Sequence, residues 1–338
     1  MQVWAEKPSA VQKTEKRKTE TRKAEALKTD TVTEMRFKYY YWEAVRLAVS
    51  GDYERAIALF RFCDLLQPGD PELSRVLGIY HYNDGRRDQA MRLLEVAYRQ
   101  APENTWYEYS TALMQGQTKQ DKKQGLRVLE EAARLMPDKT DILERLQAVY
   151  MSERRWTDVL RVQDRLDSIL GYDMYSAEKR FRINYMMKKP DAALAALKRY
   201  LDDDPSNLQM WLLYLQASEV QGGGLKALEP IYQQVLHLDP FNATALNNYA
   251  YALVADKDFG RLSADEKKER LQQAEVMVRR ALTQEPENLS FMDTYAWVLY
   301  LAGNKPLARY YMTTVIESYR DKKPPKEVKT HADAIFKK

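Results

Sequence analysis

The stretch GDYERAIALFRFCDLLQPGD, residues 51–70, is echoed thirty-four positions later by GRRDQAMRLLEVAYRQAPEN, residues 85–104. Gly51 is matched by Gly85, Ala56 by Ala90, Cys63 by Ala97 and Pro68 by Pro102. Little else is shared between the two. Side-chain size is held at set places while chemistry is left free, which marks a packing constraint rather than a catalytic one.

Working outward, FKYYYWEAVRLAVSGDYERAIALFRFCDLLQP carries apolar residues three and four apart, the helical spacing. Gly51 separates two such runs and Pro68 closes the second. The unit reads as helix, tight turn, helix, each helix about 14 residues or roughly 21 Å long.

These residues resemble the tetratricopeptide repeat, whose pattern has an aromatic early in its first helix, small residues late in it, and small residues and a closing Pro along the second. The first unit (37–70) fits with Tyr40, Ala44, Gly51, Tyr53, Ala56, Phe60, Cys63 and Pro68, the second (71–104) with Leu77, Gly78, Gly85, Ala90, Leu94, Ala97 and Pro102. A third (105–139) keeps Ala112, Leu129, Ala132 and Pro137 with one extra turn residue. The fourth (140–173) fits poorly, with Trp156, Val159 and Leu166 at places that ask for an aromatic, Ala and a small residue. The fifth (174–207) returns to pattern with Ala193, Leu197 and Pro205, and the sixth (208–242) with Trp211, Gly222, Tyr232 and Pro240. The seventh (243–288) has Ala250, Ala274, Ala281 and Pro286, with an insertion at 257–268. SADE at 263–266 is a capping-box sequence, so its second helix is expected to start near Ser263. The eighth (289–320) has Ala296, Gly303 and Ala308, and 326–337 reads as a closing helix with a polar outer side. The resemblance implies an all-α solenoid superhelix of about eight helix-turn-helix units plus that cap.

Residues 1–35 lie outside the period. Eight basic and six acidic groups, many threonines and almost no large apolar side chain predict a disordered, charged tether. Val3 and Ala5 flank Trp4 ahead of Glu6, a spacing of the kind a signal peptidase cleaves, which predicts an exported chain beginning at Glu6. Together with a likeness to multi-repeat proteins of Bacteroides-type bacteria, this sets a periplasmic or cell-envelope location as the expectation, with a cytoplasmic scaffold as the alternative.

Composition narrows the function. The 338 residues are 45% hydrophobic and 30% charged, and the formal net charge of +4 is too small to announce a nucleic-acid surface. One cysteine excludes an intrachain disulfide, and no apolar run is long enough to span a membrane. His81, His237 and His331 fall on separate repeats with no partner at ligand spacing, so no metal site is expected. GGGLK at 222–226 lacks the lysine and the preceding strand of a phosphate loop. No cofactor, no small-molecule substrate and no catalytic residue follows from any motif, and the period leaves no room for a catalytic domain.

What remains is the face of the first helices, which in this family lines a groove. The register places Tyr41, Ile79, Tyr82, Trp106, Tyr109, Tyr185, Leu212, Tyr251, Trp297 and Tyr300 there. Aromatic side chains anchor interfaces well, and they also pack between helices. The subgroup that clamps chaperone C-termini needs Lys, Asn and Arg at positions where this chain has Tyr41, Val45, Ser290 and Thr294, so that reading fails. The resemblance implies a non-enzymatic scaffold that binds a protein or peptide partner. The alternative is a substrate-recruiting module of an enzyme complex whose catalytic subunit is a separate chain.

Overall fold

The computed structural model describes residues 10–320 and 322–337, with side chains from residue 30 onward. The cleavage site expected at Ala5 and Glu6 lies outside the described residues. Seventeen α-helices and one 3-10 turn account for the architecture, and there is no strand among the described residues. The helices come in consecutive antiparallel pairs: α1 (Ala10–Val49) with α2 (Tyr53–Leu66), α3 (Pro71–Asn83) with α4 (Arg87–Gln100), α5 (Pro102–Met114) with α6 (Lys119–Leu135), and α7 (Thr140–Ser152) with α8 (Trp156–Leu170). Then follow α9 (Met174–Met186) with α10 (Pro190–Asp203), α11 (Leu208–Val220) with α12 (Leu225–Leu238), α13 (Ala243–Ala255) with α14 (Ala264–Gln284), and α15 (Leu289–Leu301) with α16 (Lys305–Glu317). A single helix α17 (Lys326–Phe336) ends the series. The chain divides into two compact units, residues 1–169 and 170–338, and the division falls at the end of the fourth pair.

The small residues of the period sit where helices cross. Ala44, Ala90, Ala97, Ala132, Ala274, Ala296 and Ala308 are fully buried, and Ala56 and Ala193 nearly so. At Gly78 the approach is tight: a Cβ there would lie 2.8 Å from Leu94 Cγ. Gly125 of α6 stands where α4 has Ala90, and a Cβ there would lie 3.1 Å from Leu113 Cβ. Pro68 stays exposed in a turn, whereas Pro102 opens α5, where its missing N–H costs nothing.

Turns and caps explain the boundaries. The residue that ends the first helix of a pair adopts positive φ, and glycine supplies it without strain at Gly51, Gly85, Gly222 and Gly303. In the fourth and fifth pairs the same slot is filled by Arg154 and Lys188, at φ 57° and 56°. Asp52, Asp70, Asn207, Asn242, Asn288 and Asn304 cap the helices that follow them, each side chain accepting from a first-turn amide. Ser263 and Glu266 form a reciprocal capping box at the start of α14, beyond the 3-10 turn Phe259–Arg261.

Two departures from expectation stand out. The tether expected over 1–35 is helical from Ala10 onward, as the N-terminal part of the 40-residue α1. Thr and mixed charge argued for disorder, but Glu15, Glu20 and Glu25 each precede a lysine by three residues (Lys18, Lys23, Lys28), a spacing that supports an isolated helix. Only the end of α1, from Phe37, packs on α2, so Val32, Met35, Tyr39 and Trp42 remain exposed. In the fourth pair, Val159 and Leu166 are buried as large side chains. The crossing there holds a polar bridge: Gln147 Nε2 donates to Gln163 Oε1 at 2.9 Å and to the Val159 carbonyl at 3.3 Å, with both glutamines buried.

Candidate functional site

Burial sorts the aromatic residues expected on the first-helix face. Trp106 and Tyr109 are 5% and 3% exposed, which removes both from any binding surface. At Tyr109 the ring of Tyr98, from α4, packs against it, and Gln124 Nε2 donates to its hydroxyl. Tyr41 is half-buried, packed on Phe37 and edge-on to Phe60. Tyr82 is half-buried, with its hydroxyl donating to Gln115. Tyr185 is exposed beside Phe181. Within the first unit, Trp106 and Tyr109 are thus core residues, and Tyr41 and Tyr82 are partly covered by neighbours.

In the second unit three of them do come together. Trp297 stacks on Tyr300 at 5.5 Å and on His331 of α17 at 4.4 Å. Tyr251 of α13 lies 5.8 Å from the same imidazole, and its hydroxyl donates to Glu327. His331 Nδ1 is 3.0 Å from Asp293 Oδ2, a contact in which both residues are buried. The closing helix is thus bonded to the first helices of the seventh and eighth pairs. Sequence spacing could not reveal the Asp293–His331 pair, because its members stand 38 residues apart. A single such pair is not a metal centre, and no three His, Cys, Asp or Glu side chains converge among the described residues.

Beside this cluster is an open cavity of ≈ 560 Å³. Its floor and walls come from Glu219 at the end of α11, the Gly222–Gly223–Gly224 turn, Leu228 and Tyr232 of α12, Asn247, Asn248 and Tyr251 of α13, Ser290, Asp293 and Thr294 of α15, and Glu327 of α17. The α13 contributors recur at helical spacing on one face, which the run ALNNYAYALVA dictates by keeping Ala245, Leu246, Tyr249 and Ala250 for the core. Glu219 is fixed from two sides: Tyr232 donates to it at 2.5 Å and Asn248 Nδ2 at 3.2 Å. The cavity size suits a side chain with its flanking backbone, and the lining is polar and rich in acceptors.

The remaining tyrosines explain much of the high aromatic content. Tyr150 donates to Glu130 and Tyr249 to Glu229, both at 2.7 Å and both across 20 residues of sequence, tying a first helix to the preceding second helix. Burial, and then the Glu229 carboxylate, push the Tyr249 phenol up to about 12. Cys63 is fully buried, and that burial raises its thiol, as expected for a packing residue.

One family model and one solved structure agree with this architecture. Residues 41–105 match the tetratricopeptide repeat family model. No curated protein matches the chain. Among solved structures, the Naa15/Naa10 complex bound to HypK-THB aligns over 88% of this chain at 14% identity with a TM-score of 0.55. The chain spans about half the length of that protein, 46%. A tetratricopeptide repeat protein from Parabacteroides merdae aligns over 89% of this chain and 99% of its own, at 11% identity and a TM-score of 0.34. The C-terminal part of a repeat protein from Cytophaga hutchinsonii aligns over 75% and 98%, at 15% identity and 0.39. Residues 41–105 thus carry the pattern of that family, and a helical pair of the same kind recurs through both units.

Proposed function

We propose that the chain is a non-enzymatic scaffold that holds a polypeptide segment of a partner protein along the first helices of its second unit. The observation that carries this is the open, polar cavity of ≈ 560 Å³ beside the Tyr251, Trp297 and Tyr300 cluster. Rigid helices set its walls, and aromatic side chains flank it, as suits an interaction surface. Photo-crosslinking tests the proposal: a benzophenone amino acid at Ser290, in the cavity, should give protein adducts in cells of the native organism. The same probe at Val276, exposed on α14, should not. Adducts from Val276 alone, or equally from both sites, would count against this face.

The Naa15/Naa10 complex is a multi-chain assembly, and that setting motivates a second reading. In it the partner is a separate catalytic subunit whose substrates the array recruits, and the Ser290 adduct would be that enzyme. Placement in a bacterial cell envelope is part of the proposal and rests on the Val3 to Glu6 spacing. Fractionation of the native cells tests it, with intact protein in the cytosol as the contrary result.

A further inference from the structure

The cavity of the second unit is provided with acceptors and short of donors. Carboxylates of Glu219, Asp293 and Glu327 line it, and Lys257 at the exposed rim is the cation among the lining residues. His331 accounts for Asp293 and Tyr251 for one oxygen of Glu327. Asn247 supplies an independent observation. It lines the cavity, is 4% exposed, and its Oδ1 has no donor.

The orientation of that amide follows from its neighbours. An ionised Glu219 only accepts, so Asn248 must turn Nδ2 toward it, at 3.2 Å. Asn248 then offers Oδ1 to Asn247, which must answer with its own Nδ2, again at 3.2 Å. Flipping Asn247 would set two oxygens against each other. Its Oδ1 is thereby held as an orphan acceptor, a group that native structures seldom leave without a partner.

From the orphan acceptor and the surrounding carboxylates we infer that the cavity receives an arginine side chain of the partner's polypeptide. A guanidinium carries positive charge and five N–H donors in a planar fork, so one group can serve several of the acceptors that line the cavity. Its aliphatic stem fits against Leu228 and Ala252 in the same wall. The inference rests on the scaffold reading and adds the chemistry of what is bound.

The test uses the full chain and three capped pentapeptides, identical except for a central arginine, citrulline or glutamate. Citrulline keeps the shape of arginine and removes its charge. Ligand-observed NMR titration should give the arginine peptide at least fivefold tighter binding than the citrulline peptide, and the glutamate peptide weaker still. Glu219→Gln and Glu327→Gln should each weaken the arginine peptide severalfold, while Glu103→Gln in the first unit leaves it unchanged. Lys257→Gln, at an exposed position and harmless to folding, should tighten it about threefold, as expected when a like charge leaves the rim. Equal binding of arginine and citrulline peptides, or indifference to both Glu219→Gln and Lys257→Gln, would overturn the inference. If Ser290 still captures a partner in that case, the scaffold reading stands without it; if capture fails too, both fall.

Discussion

Gly78→Ala puts the close crossing of α3 and α4 to a quantitative trial. The added Cβ would lie 2.8 Å from Leu94 Cγ, 2.9 Å from Cδ2 and 3.3 Å from the Leu94 amide nitrogen. Leu94 is 1% exposed, so its side chain cannot swing out of the way. Overpacking of this kind costs about 1–3 kcal/mol. Alanine in a helix interior returns ~1 kcal/mol relative to glycine. The net expectation is a loss of about 1 kcal/mol. Leu94→Ala alone should cost about 2–5 kcal/mol through the cavity it leaves. With Leu94 truncated the obstruction is gone, so Gly78→Ala should then be neutral or stabilising by up to ~1 kcal/mol. The two substitutions are therefore coupled by about 1–3 kcal/mol. Repeat arrays open unit by unit, so native-state hydrogen exchange of the α3 and α4 amides is the suitable assay. Each ~1.4 kcal/mol appears as a tenfold change in exchange. Additive effects, or stabilisation by Gly78→Ala in the otherwise unaltered chain, would refute the crossing geometry.

Other substitutions probe other parts of the same construction. Ala308→Arg, at a fully buried crossing, should destabilise the second unit by about 2–4 kcal/mol, and an unchanged thermal melt would contradict the repeat register. Ser263→Ala removes the capping box and should cost ~1 kcal/mol, read as faster exchange confined to the first turns of α14; unaltered exchange there would deny the cap a role. The fourth pair should be the least protected, with amides at 140–172 exchanging faster than those at 71–100; equal or greater protection would dismiss that ranking. Arg154→Gly relieves a left-handed backbone and should stabilise this pair by up to ~1 kcal/mol in urea unfolding, and a loss instead would mean that the strain is negligible.

The period was legible because it is written in size. Ala56, Ala90 and Cys63 are small for the same steric reason, and each is buried where two helices meet. The Ser263 cap was legible because its chemistry is local, with donor and acceptor three residues apart. Trp106 and Tyr109 were misplaced because register on a helix tells direction only. Whether that direction ends in solvent depends on the neighbouring repeat, and Tyr98 of the preceding one packs on Tyr109. Asp293 with His331, and Glu219 with Asn248, were beyond reach for a related reason: they join residues 38 and 29 apart through stacking of successive pairs. The α1 extension failed on a different ground. Low apolar content argues against a packed core, and a helix that extends beyond the core needs none.

The division of labour within each pair also explains where specificity is free to arise. Positions that face the crossing tolerate little beyond Ala and Gly, so they carry no information about a partner. Second helices meet the next first helix, and the tyrosine–glutamate bonds at Tyr150 and Tyr249 occupy those seams. The remaining positions of first helices in the second unit include Asn247, Asn248, Tyr251, Ser290, Asp293 and Thr294, of which Tyr251 and Asp293 also hold α17. That set is more polar than packing requires, and it includes a buried amide oxygen that folding alone leaves unpaired. An apolar residue in place of Asn247 would leave no unpaired oxygen, at the loss of its bond to Asn248. Retaining the amide costs stability in the free chain, and a donor brought by a partner recovers it on binding.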